Sequence, residues 1–227
     1  MLHAPFDVHG SDLWRRGAVM AQSRGSMLVA RALAPAPGER VLDLCAAPGA
    51  KTTQLAALMR DQGLVLAVER HPGRARALER TCARMRAGCV RVEVGDAAEP
   101  RRGEVFDRVL VDPPCSGLGT LQSRPDVRWR ASAESIAELA ALQRRVLDAG
   151  AGATRPGGVL VYSVCTISRA ESADLIDAFL ERHGGEFEFE ATGGGGPDPW
   201  SGHGVQLLPH RDGTDGFFLA RLRRSAR

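Results

Sequence analysis

The chain has 227 residues, of which 44% are hydrophobic and 25% are charged, and its formal net charge is +3. These values are ordinary for one globular domain that can bury a sizeable core. No apolar run is long enough to span a membrane, and the first 17 residues lack the apolar segment of a signal peptide. The small positive charge does not by itself establish a nucleic-acid partner.

The five cysteines are Cys45, Cys82, Cys89, Cys115 and Cys165. Their number is odd and no CxxC spacing is present, so we expect neither a disulfide framework nor a zinc site. Reduced thiols, a cytoplasmic location and no bound metal are the simplest interpretation. We expect Cys82 and Cys89 to be buried apolar residues.

Hydrophobic periodicity divides the chain into an N-terminal lead-in, residues 1–17, and one domain, residues 18–227. Helices are predicted over residues 18–33, 52–60, 72–86, 132–154 and 168–183. Strands are predicted over residues 40–44, 64–68, 90–94, 106–111, 159–163, 186–191 and 217–222, with a turn at 156–158 and a flexible glycine loop at 193–197.

Strands that alternate with helices predict right-handed crossovers and an α/β fold with a mostly parallel sheet. The last two strands have no helix between them, which predicts an antiparallel hairpin at one edge. Two helix starts carry cap signals: Ser132 has Ser135 three residues later, and Ser168 has Glu171 in the spacing of a capping box.

Three segments follow predicted strands and contain reactive or glycine-rich sequence: residues 43–52 (DLCAAPGAKT), 112–117 (DPPCSG) and 162–166 (YSVCT). In an open α/β sheet the carboxyl ends of parallel strands share one rim, where ligands bind. We therefore expect both thiols and the glycine-containing loop to converge. If the glycine-containing loop holds a methyl donor, a thiol beside it suggests attack on a pyrimidine ring.

The first of these segments has the form of a small-ligand loop. Gly49 permits close backbone approach, and the helix that follows presents free N–H groups. The spacing is not that of a P-loop. Glu69 ends the second strand, where an acid of a Rossmann-type site binds ribose hydroxyls, and Asp96 follows the third strand, within possible reach of an adenine amino group.

The segments DLCAAPGAKT, DPPCSGLGTLQSRPDVRWR, YSVCTISRAE and LLPHRDGTDGFF, in this order, closely resemble the RNA 5-methylcytosine methyltransferases of the Sun/Fmu (RsmB-like) family. The resemblance covers about residues 17–223. It implies a Rossmann-like S-adenosylmethionine fold and an RNA cytosine substrate, in ribosomal or transfer RNA. The implied cofactor-binding residues are Cys45, Ala46, Ala47, Pro48, Gly49, Ala50, Lys51, Glu69, Arg74, Asp96 and Asp112.

Asp112 and Ala50 differ from the other implied cofactor-binding residues. Asp112 is implied to lie between the cofactor and the target base. The family usually has Gly where this chain has Ala50, and a positive φ there would cost about 1 kcal/mol.

The two cysteines that follow strands are both candidates for the nucleophile. A thiolate that adds to cytosine C6 makes C5 enamine-like, and such a thiolate requires a lowered pKa. Chemistry alone does not rank Cys115 and Cys165. The Pro-Cys motif of DNA cytosine-5 methyltransferases would favour Cys115. The resembled family implies Cys165, in its Ser-x-Cys-[ST] frame, as the nucleophile and Cys115 as an aid to release of the adduct.

The segment after Cys115 is arginine-rich and is predicted to contact RNA through Arg124, Asp126 and Arg128, unless it is a solvated loop. Trp14, Trp129 and Trp200 could stack on bases, although packing is an equal expectation for each. Relatives of the resembled family commonly carry an RNA-binding extension before the catalytic core, whereas only about 17 residues precede the domain here. We therefore expect a compact enzyme, a fragment, or a partner that supplies RNA affinity. Two other functions stay open: amino-methyl transfer, since DPP also occurs in N-methyltransferases, and a catalytically weak or silent RNA-binding protein.

Overall fold

An eight-stranded sheet organises the protein. The structure is a computed structural model that describes residues 6–101, 103–191 and 202–226. Its helices are α1 (Asp12–Arg15), α2 (Arg24–Leu33), α3 (Ala50–Leu58), α4 (Pro72–Met85), α5 (Ala133–Ala153), α6 (Ala173–Arg182) and α7 (Pro209–Asp212). Its strands are β1 (Arg40–Asp43), β2 (Leu64–Glu69), β3 (Val90–Val94), β4 (Phe106–Val111), β5 (Thr154–Val164), β6 (Phe187–Phe189), β7 (Val205–Leu207) and β8 (Phe217–Arg224).

The order of strands in the sheet is β3-β2-β1-β4-β5-β8-β6, and β7 also pairs with β8. Strands β1 to β5 are parallel, whereas β8 is antiparallel to β5, β6 and β7. The predicted α/β fold with an antiparallel edge is therefore confirmed. The parallel part places the carboxyl ends of β1, β2, β4 and β5 on one rim, as parallel pairing requires.

Both faces of the sheet are covered, which explains why its central strands contain uninterrupted apolar runs such as Val109–Val111 of β4. Successive residues of a strand point to opposite faces. Val41 of β1 belongs to a buried cluster that includes Val29 of α2 and Leu55 of α3. Leu42, the next residue, belongs to a second cluster that includes Leu147 of α5.

The predicted helix over residues 18–33 begins six residues too early. In the structure α2 begins at Arg24, and the side chain of Ser23 accepts a hydrogen bond from the backbone N–H of Ser26 at 3.3 Å. A serine in this position satisfies an N–H group that the first turn leaves free. Residues 18–23 are not helical.

The end of the chain contains two short elements that the sequence did not predict. Strand β7 is three residues long and pairs with β8, and α7 follows it directly. Strand β5 also begins earlier than predicted, at Thr154, and runs through the expected turn at 156–158 with a shift of register against β4. The glycine loop at 193–197 and Trp200 lie outside the described residues.

Of the two predicted helix caps, one is confirmed and one is wrong. Ser132 and Ser135 exchange side-chain to backbone hydrogen bonds of 3.2 and 2.9 Å at the start of α5. The side chain of Ser168 makes no cap bond, and a 3-10 turn over Arg169–Glu171 precedes α6. The carboxylate of Glu171 turns into the protein, where it accepts hydrogen bonds from two loops of the rim.

Candidate active site

A cavity of about 660 Å³ opens at the carboxyl ends of the parallel strands. That volume lies within the usual range for small-molecule and cofactor sites. Its lining includes Cys45, Glu69, Asp96, Asp112, Cys115 and Cys165. The expected convergence of the glycine-containing loop with both thiols is therefore observed.

The loop after β1 turns sharply into α3 through Gly49. This glycine has φ +105° and ψ +4°, a conformation that side chains with a Cβ rarely adopt. Ala50 is the first residue of α3 and is not among the residues with positive φ. The strain that a positive φ would bring to Ala50 is thus absent, because Gly49 makes the turn.

Glu69 is the buried acid of the cavity, with 4% of its surface exposed. Its Oε1 accepts the backbone N–H of His71 at 2.9 Å, and its Oε2 lies 3.5 Å from Nη2 of Arg74. The same Arg74 nitrogen donates to the carbonyl oxygen of Ala47 at 2.9 Å, so Arg74 links the acid to the glycine-containing loop. Oε2 keeps acceptor capacity on the cavity side.

Asp96 lies farther out along the cavity wall. Its Oδ1 accepts the backbone N–H of Ala98 at 2.9 Å, and its Oδ2 is 3.9 Å from Nε of Arg70. The two acids, Glu69 and Asp96, suit a ligand that carries hydroxyl and amino donors. A ribose and an adenine amino group present these donors, so the lining fits S-adenosylmethionine.

Lys51 and Asp112 form an ion pair between the glycine-containing loop and the thiols. Nζ of Lys51 lies 2.8 Å from Oδ2 of Asp112, and Oδ1 of Asp112 accepts a hydrogen bond of 2.6 Å from the hydroxyl of Ser163. Burial alone would lower the pKa of Lys51, but the ion pair with Asp112 outweighs it and the pKa is raised. Lys51 is therefore a fixed positive charge beside the reactive groups.

The sulfur atoms of Cys115 and Cys165 are 3.4 Å apart. The hydrogen bond between them lowers the pKa of Cys165 against the opposing effect of burial, and Lys51 lowers it further. The same hydrogen bond, together with burial, raises the pKa of Cys115. Of the two thiols, Cys165 is therefore the one that ionises more readily.

The other cysteines differ from this pair. Burial raises the pKa of Cys45, and it raises those of Cys82 to about 11 and Cys89 to about 12. A thiol with a raised pKa is a poor nucleophile at neutral pH. All five cysteines lie in the described ranges, and Cys165 is the one whose pKa is lowered.

Sequence reasoning missed a buried polar cluster behind the two thiols. Glu171 is fully buried and accepts hydrogen bonds from the backbone N–H of Ser116 at 2.8 Å, from Gln143 at 3.0 Å and from Thr166 at 3.3 Å. The hydroxyl of Tyr162 donates to the carbonyl oxygen of Glu171 at 2.7 Å. The spacing from Ser168 to Glu171 predicted a helix cap. The signal for the observed cluster is that Glu171 follows Cys165 by only a few residues.

The arginine-rich segment after Cys115 forms a 3-10 turn over Pro125–Trp129 at the edge of the cavity. Arg124 lines the cavity and is exposed. Asp126 forms an ion pair with Arg130, and the guanidinium of Arg128 lies 4.6 Å from the ring centroid of Trp129. Trp129 itself is 78% exposed.

Trp14 is half-buried and packs within the protein. The guanidinium of Arg84 on α4 lies 3.6 Å from the Trp14 ring centroid, and Arg84 also donates to the Trp14 carbonyl oxygen at 3.0 Å. Of the two expectations for this residue, packing is the one observed. The predicted lead-in is therefore in contact with the domain.

Within residues 6–101, 103–191 and 202–226, no group of three or more His, Cys, Asp or Glu side chains could hold a metal ion. A search of the same ranges finds no helix that is both long enough and apolar enough to cross a bilayer.

The strand order and the acids at the strand ends define an S-adenosylmethionine-dependent methyltransferase fold. A distant structure shows the same fold: an S-adenosylmethionine-dependent O-methyltransferase from Thermotoga maritima superposes with a TM-score of 0.57 at 15% identity, over 92% of this chain and 67% of that one. The family model described as 16S rRNA methyltransferase RsmB/F matches residues 30–223, and the chain belongs to that family. The resemblance found from the sequence motifs is thereby confirmed, and S-adenosylmethionine is the cofactor.

Closer relatives agree with this placement. The chain is 37% identical to a probable ribosomal RNA small subunit methyltransferase B of Bacillus subtilis, over 96% of this chain and 50% of the relative. It is 43% identical to a putative methyltransferase of Mycobacterium tuberculosis, over 92% of this chain and 47% of the relative. The crystal structure of NSun6 from Pyrococcus horikoshii with SFG superposes with a TM-score of 0.89 at 30% identity, over 98% of this chain and 57% of that one. The chain thus spans about half the length of the curated relatives it matches.

Proposed function

We propose that the chain methylates C5 of a cytosine in ribosomal RNA through a covalent bond between Cys165 and cytosine C6. One observation carries the proposal: two thiols 3.4 Å apart, of which Cys165 has the lowered pKa, and a Lys51–Asp112 ion pair meet in the cavity of a methyltransferase fold. A methyltransferase that acts on an oxygen or nitrogen atom needs no thiolate. Cytosine C5 does need one, because the ring must be activated by addition at C6.

Each residue of the site has a step to perform. The thiolate of Cys165 adds to C6, and the electron pair of the C5–C6 double bond becomes available at C5. S-adenosylmethionine supplies the electrophilic methyl group. Loss of the C5 proton to a base then re-forms the double bond, and the C6–S electron pair returns to Cys165. Cys115 lies beside that C6–S bond and assists its cleavage. Asp112 contacts the cytosine ring near N3 and the 4-amino group.

The cofactor is held by the residues that line the inner part of the cavity. The loop of Cys45, Ala46, Ala47, Pro48 and Gly49 passes along it, and Ala50 and Lys51 begin the helix whose N–H groups face it. Glu69 binds the ribose hydroxyls, Arg74 fixes Glu69 and the loop, and Asp96 accepts a hydrogen bond from the adenine amino group.

The nucleotides that flank the target contact the segment Arg124–Arg130. Arg124 and Arg128 neutralise phosphates, Asp126 holds Arg130 in place, and the exposed ring of Trp129 provides a stacking surface for one base. A partner that supplies further RNA affinity stays a prediction. Because the thiols must remain reduced, we place the reaction in the cytoplasm.

The test uses three single variants and labelled RNA fragments from the small ribosomal subunit. We expect Cys165→Ala to abolish both methyl transfer and any RNA–protein adduct. We expect Cys115→Ala to form an adduct that survives denaturing electrophoresis, because attack is intact and release is slow. Cys89→Ala, which changes a cysteine outside the cavity, is the matched control and should behave as the unmodified protein.

The outcomes separate the alternatives. A stable adduct in Cys165→Ala, with none in Cys115→Ala, would make Cys115 the nucleophile. Nucleoside analysis of the product distinguishes methylation at C5 from methylation of the amino group. Transfer RNA offered in parallel shows whether ribosomal RNA is the preferred substrate. Absence of any methylated nucleoside from either RNA would support a catalytically silent RNA-binding protein.

A further inference from the structure

Glu171 carries an ionisable carboxylate into a place with no solvent contact. A buried carboxylate is costly unless hydrogen bonds replace the lost water. Both of its oxygens are occupied: Oε1 accepts from the backbone N–H of Ser116 and from Nε2 of Gln143, and Oε2 accepts from the hydroxyls of Ser116 and Thr166. Such a set of partners fixes the carboxylate in one orientation.

The partners of this carboxylate are the immediate neighbours of the two thiols. Ser116 follows Cys115, and Thr166 follows Cys165. The hydroxyls of Ser116 and Thr166 are themselves 2.8 Å apart. One side chain therefore ties together two loops that lie 50 residues apart in the sequence, each at the residue next to a sulfur atom.

The cluster is anchored to the rest of the fold on two sides. Nε2 of Gln143, on α5, donates both to Glu171 and to the carbonyl oxygen of Pro114, at 3.0 and 2.9 Å. The hydroxyl of Tyr162, on β5, donates to the carbonyl oxygen of Glu171 at 2.7 Å and lies 3.2 Å from Oε1 of Gln143. Helix α5 and strand β5 thus hold Glu171 in place, and Glu171 holds the two loops.

We propose that Glu171 is a positioning residue whose carboxylate keeps the sulfur atoms of Cys115 and Cys165 within hydrogen-bonding distance. It touches neither sulfur and acts through Ser116 and Thr166. Its function in catalysis rests on the reaction proposed above, but its effect on the thiols exists in the protein alone.

A purely electrostatic role and a positioning role of Glu171 predict opposite effects of its neutralisation on the Cys165 thiolate. If Glu171 acted only as a negative charge near Cys165, its neutralisation would favour the thiolate and would speed alkylation. If it holds Cys115 against Cys165, its neutralisation loosens the donor hydrogen bond and disfavours the thiolate. The other titratable groups around Cys165 are Cys115, Asp112 and Lys51, and all three are unchanged by the substitution.

The experiment measures alkylation of Cys165 by iodoacetamide across pH in the folded protein without RNA, followed by peptide mass spectrometry. We expect Glu171→Gln to raise the pH at which Cys165 becomes reactive by about one unit, which is a roughly tenfold lower rate at pH values below that point. Oxidation of the two thiols to a disulfide by diamide should slow as well. Glu181→Gln, an exposed acid of α6, is the matched control and should change neither rate.

A second variant guards against a loss of folding. Thr166→Val keeps the shape of the side chain, removes one donor to Glu171, and should shift the reactive pH of Cys165 in the same direction by a smaller amount. Circular dichroism before each measurement confirms the folded state. In methylation assays Glu171→Gln should lower kcat while the KM for S-adenosylmethionine stays unchanged.

Alkylation of Cys165 in Glu171→Gln that is as fast as in the unmodified protein, or faster, would overturn the proposal. This outcome is separate from failure of the proposed function. If the Cys165→Ala variant still forms an RNA adduct, the assignment of the nucleophile fails, but the alkylation result continues to report whether Glu171 positions the thiols.

Discussion

Gly49→Ala tests whether the cofactor loop depends on a residue without a Cβ. Gly49 has φ +105°, and an ideal Cβ at this position lies 2.7 Å from Cδ1 of Leu78 and 3.2 Å from Cγ2 of Thr81. Leu78 is fully buried, so its methyl group has no free space into which to move. The substitution therefore combines an unfavourable backbone conformation with overpacking of the core.

The size of the effect follows from these two contributions. A left-handed conformation costs a residue with a Cβ about 1–2 kcal/mol, and an extra methyl group in a packed core typically costs about 1–3 kcal/mol. Together we expect the free energy of unfolding to fall by about 2–5 kcal/mol. For a domain of this size each kcal/mol lowers Tm by about 2–4 °C, so Tm should fall by about 4–20 °C.

Ala50→Gly is the matched control, one residue farther along the chain. Ala50 begins α3 with a helical backbone, so glycine there should cost at most about 1 kcal/mol. Removal of its Cβ cannot block a ligand, and we expect affinity for S-adenosylhomocysteine to stay the same or rise. Thermal unfolding gives the first quantity and titration calorimetry the second.

Two results would refute this reasoning. If Gly49→Ala unfolds at the same temperature as the unmodified protein and binds S-adenosylhomocysteine equally well, the backbone of the loop is not the constraint. If Ala50→Gly loses most of its affinity, the methyl group of Ala50 is a packing requirement of the cofactor site.

Three further predictions concern charge and RNA contact. Burial raises the pKa of Asp43 from 3.8 to about 6. The folded state therefore binds the proton more tightly than the unfolded chain, and this contribution to stability is lost as pH rises from 4 to 6. In urea titrations the free energy of unfolding should fall over this range by up to about 3 kcal/mol more than it does in Asp43→Asn. Lys51→Met removes the cation that favours the Cys165 thiolate, so alkylation of Cys165 at pH 7 should slow severalfold, whereas an unchanged rate would exclude a role for Lys51 in lowering the pKa. Trp129→Ala should weaken RNA binding by about 1–3 kcal/mol in filter-binding assays and leave S-adenosylhomocysteine binding unchanged; equal RNA affinity would point to another occupant of the ring, such as a protein surface.

The parallel core of the fold was predictable because its signals are local. Strands β3 and β4 have the predicted bounds, and β1 and β2 differ by one residue at one end. Strands β1, β2 and β4 are short runs that end at an acid or directly before one, and most of their apolar residues are buried. Strand β3, at the edge of the sheet, instead alternates valine with charged residues. The rim then followed from the rule that parallel strands present their carboxyl ends together.

Two of the errors concern a side chain that can bond either to a local or to a distant partner. Ser23 takes the local partner and shortens α2. Glu171 matches a local cap by spacing but takes partners up to 55 residues away. A sequence pattern counts only the neighbours along the chain, so it cannot weigh a bond to Ser116 against a bond to the backbone at Ser168.

The two reactive cysteines show why their roles could not be assigned from their frames. Both follow a strand of the same rim, and their sulfur atoms are in contact, so distance to a target ring does not separate them. What separates them is the direction in which each pKa shifts. Their mutual hydrogen bond and Lys51 lower the pKa of Cys165, whereas the same hydrogen bond raises the pKa of Cys115, so Cys165 ionises more readily. This difference depends on a lysine more than 60 residues before the first of the two thiols, and only the folded chain brings these residues together.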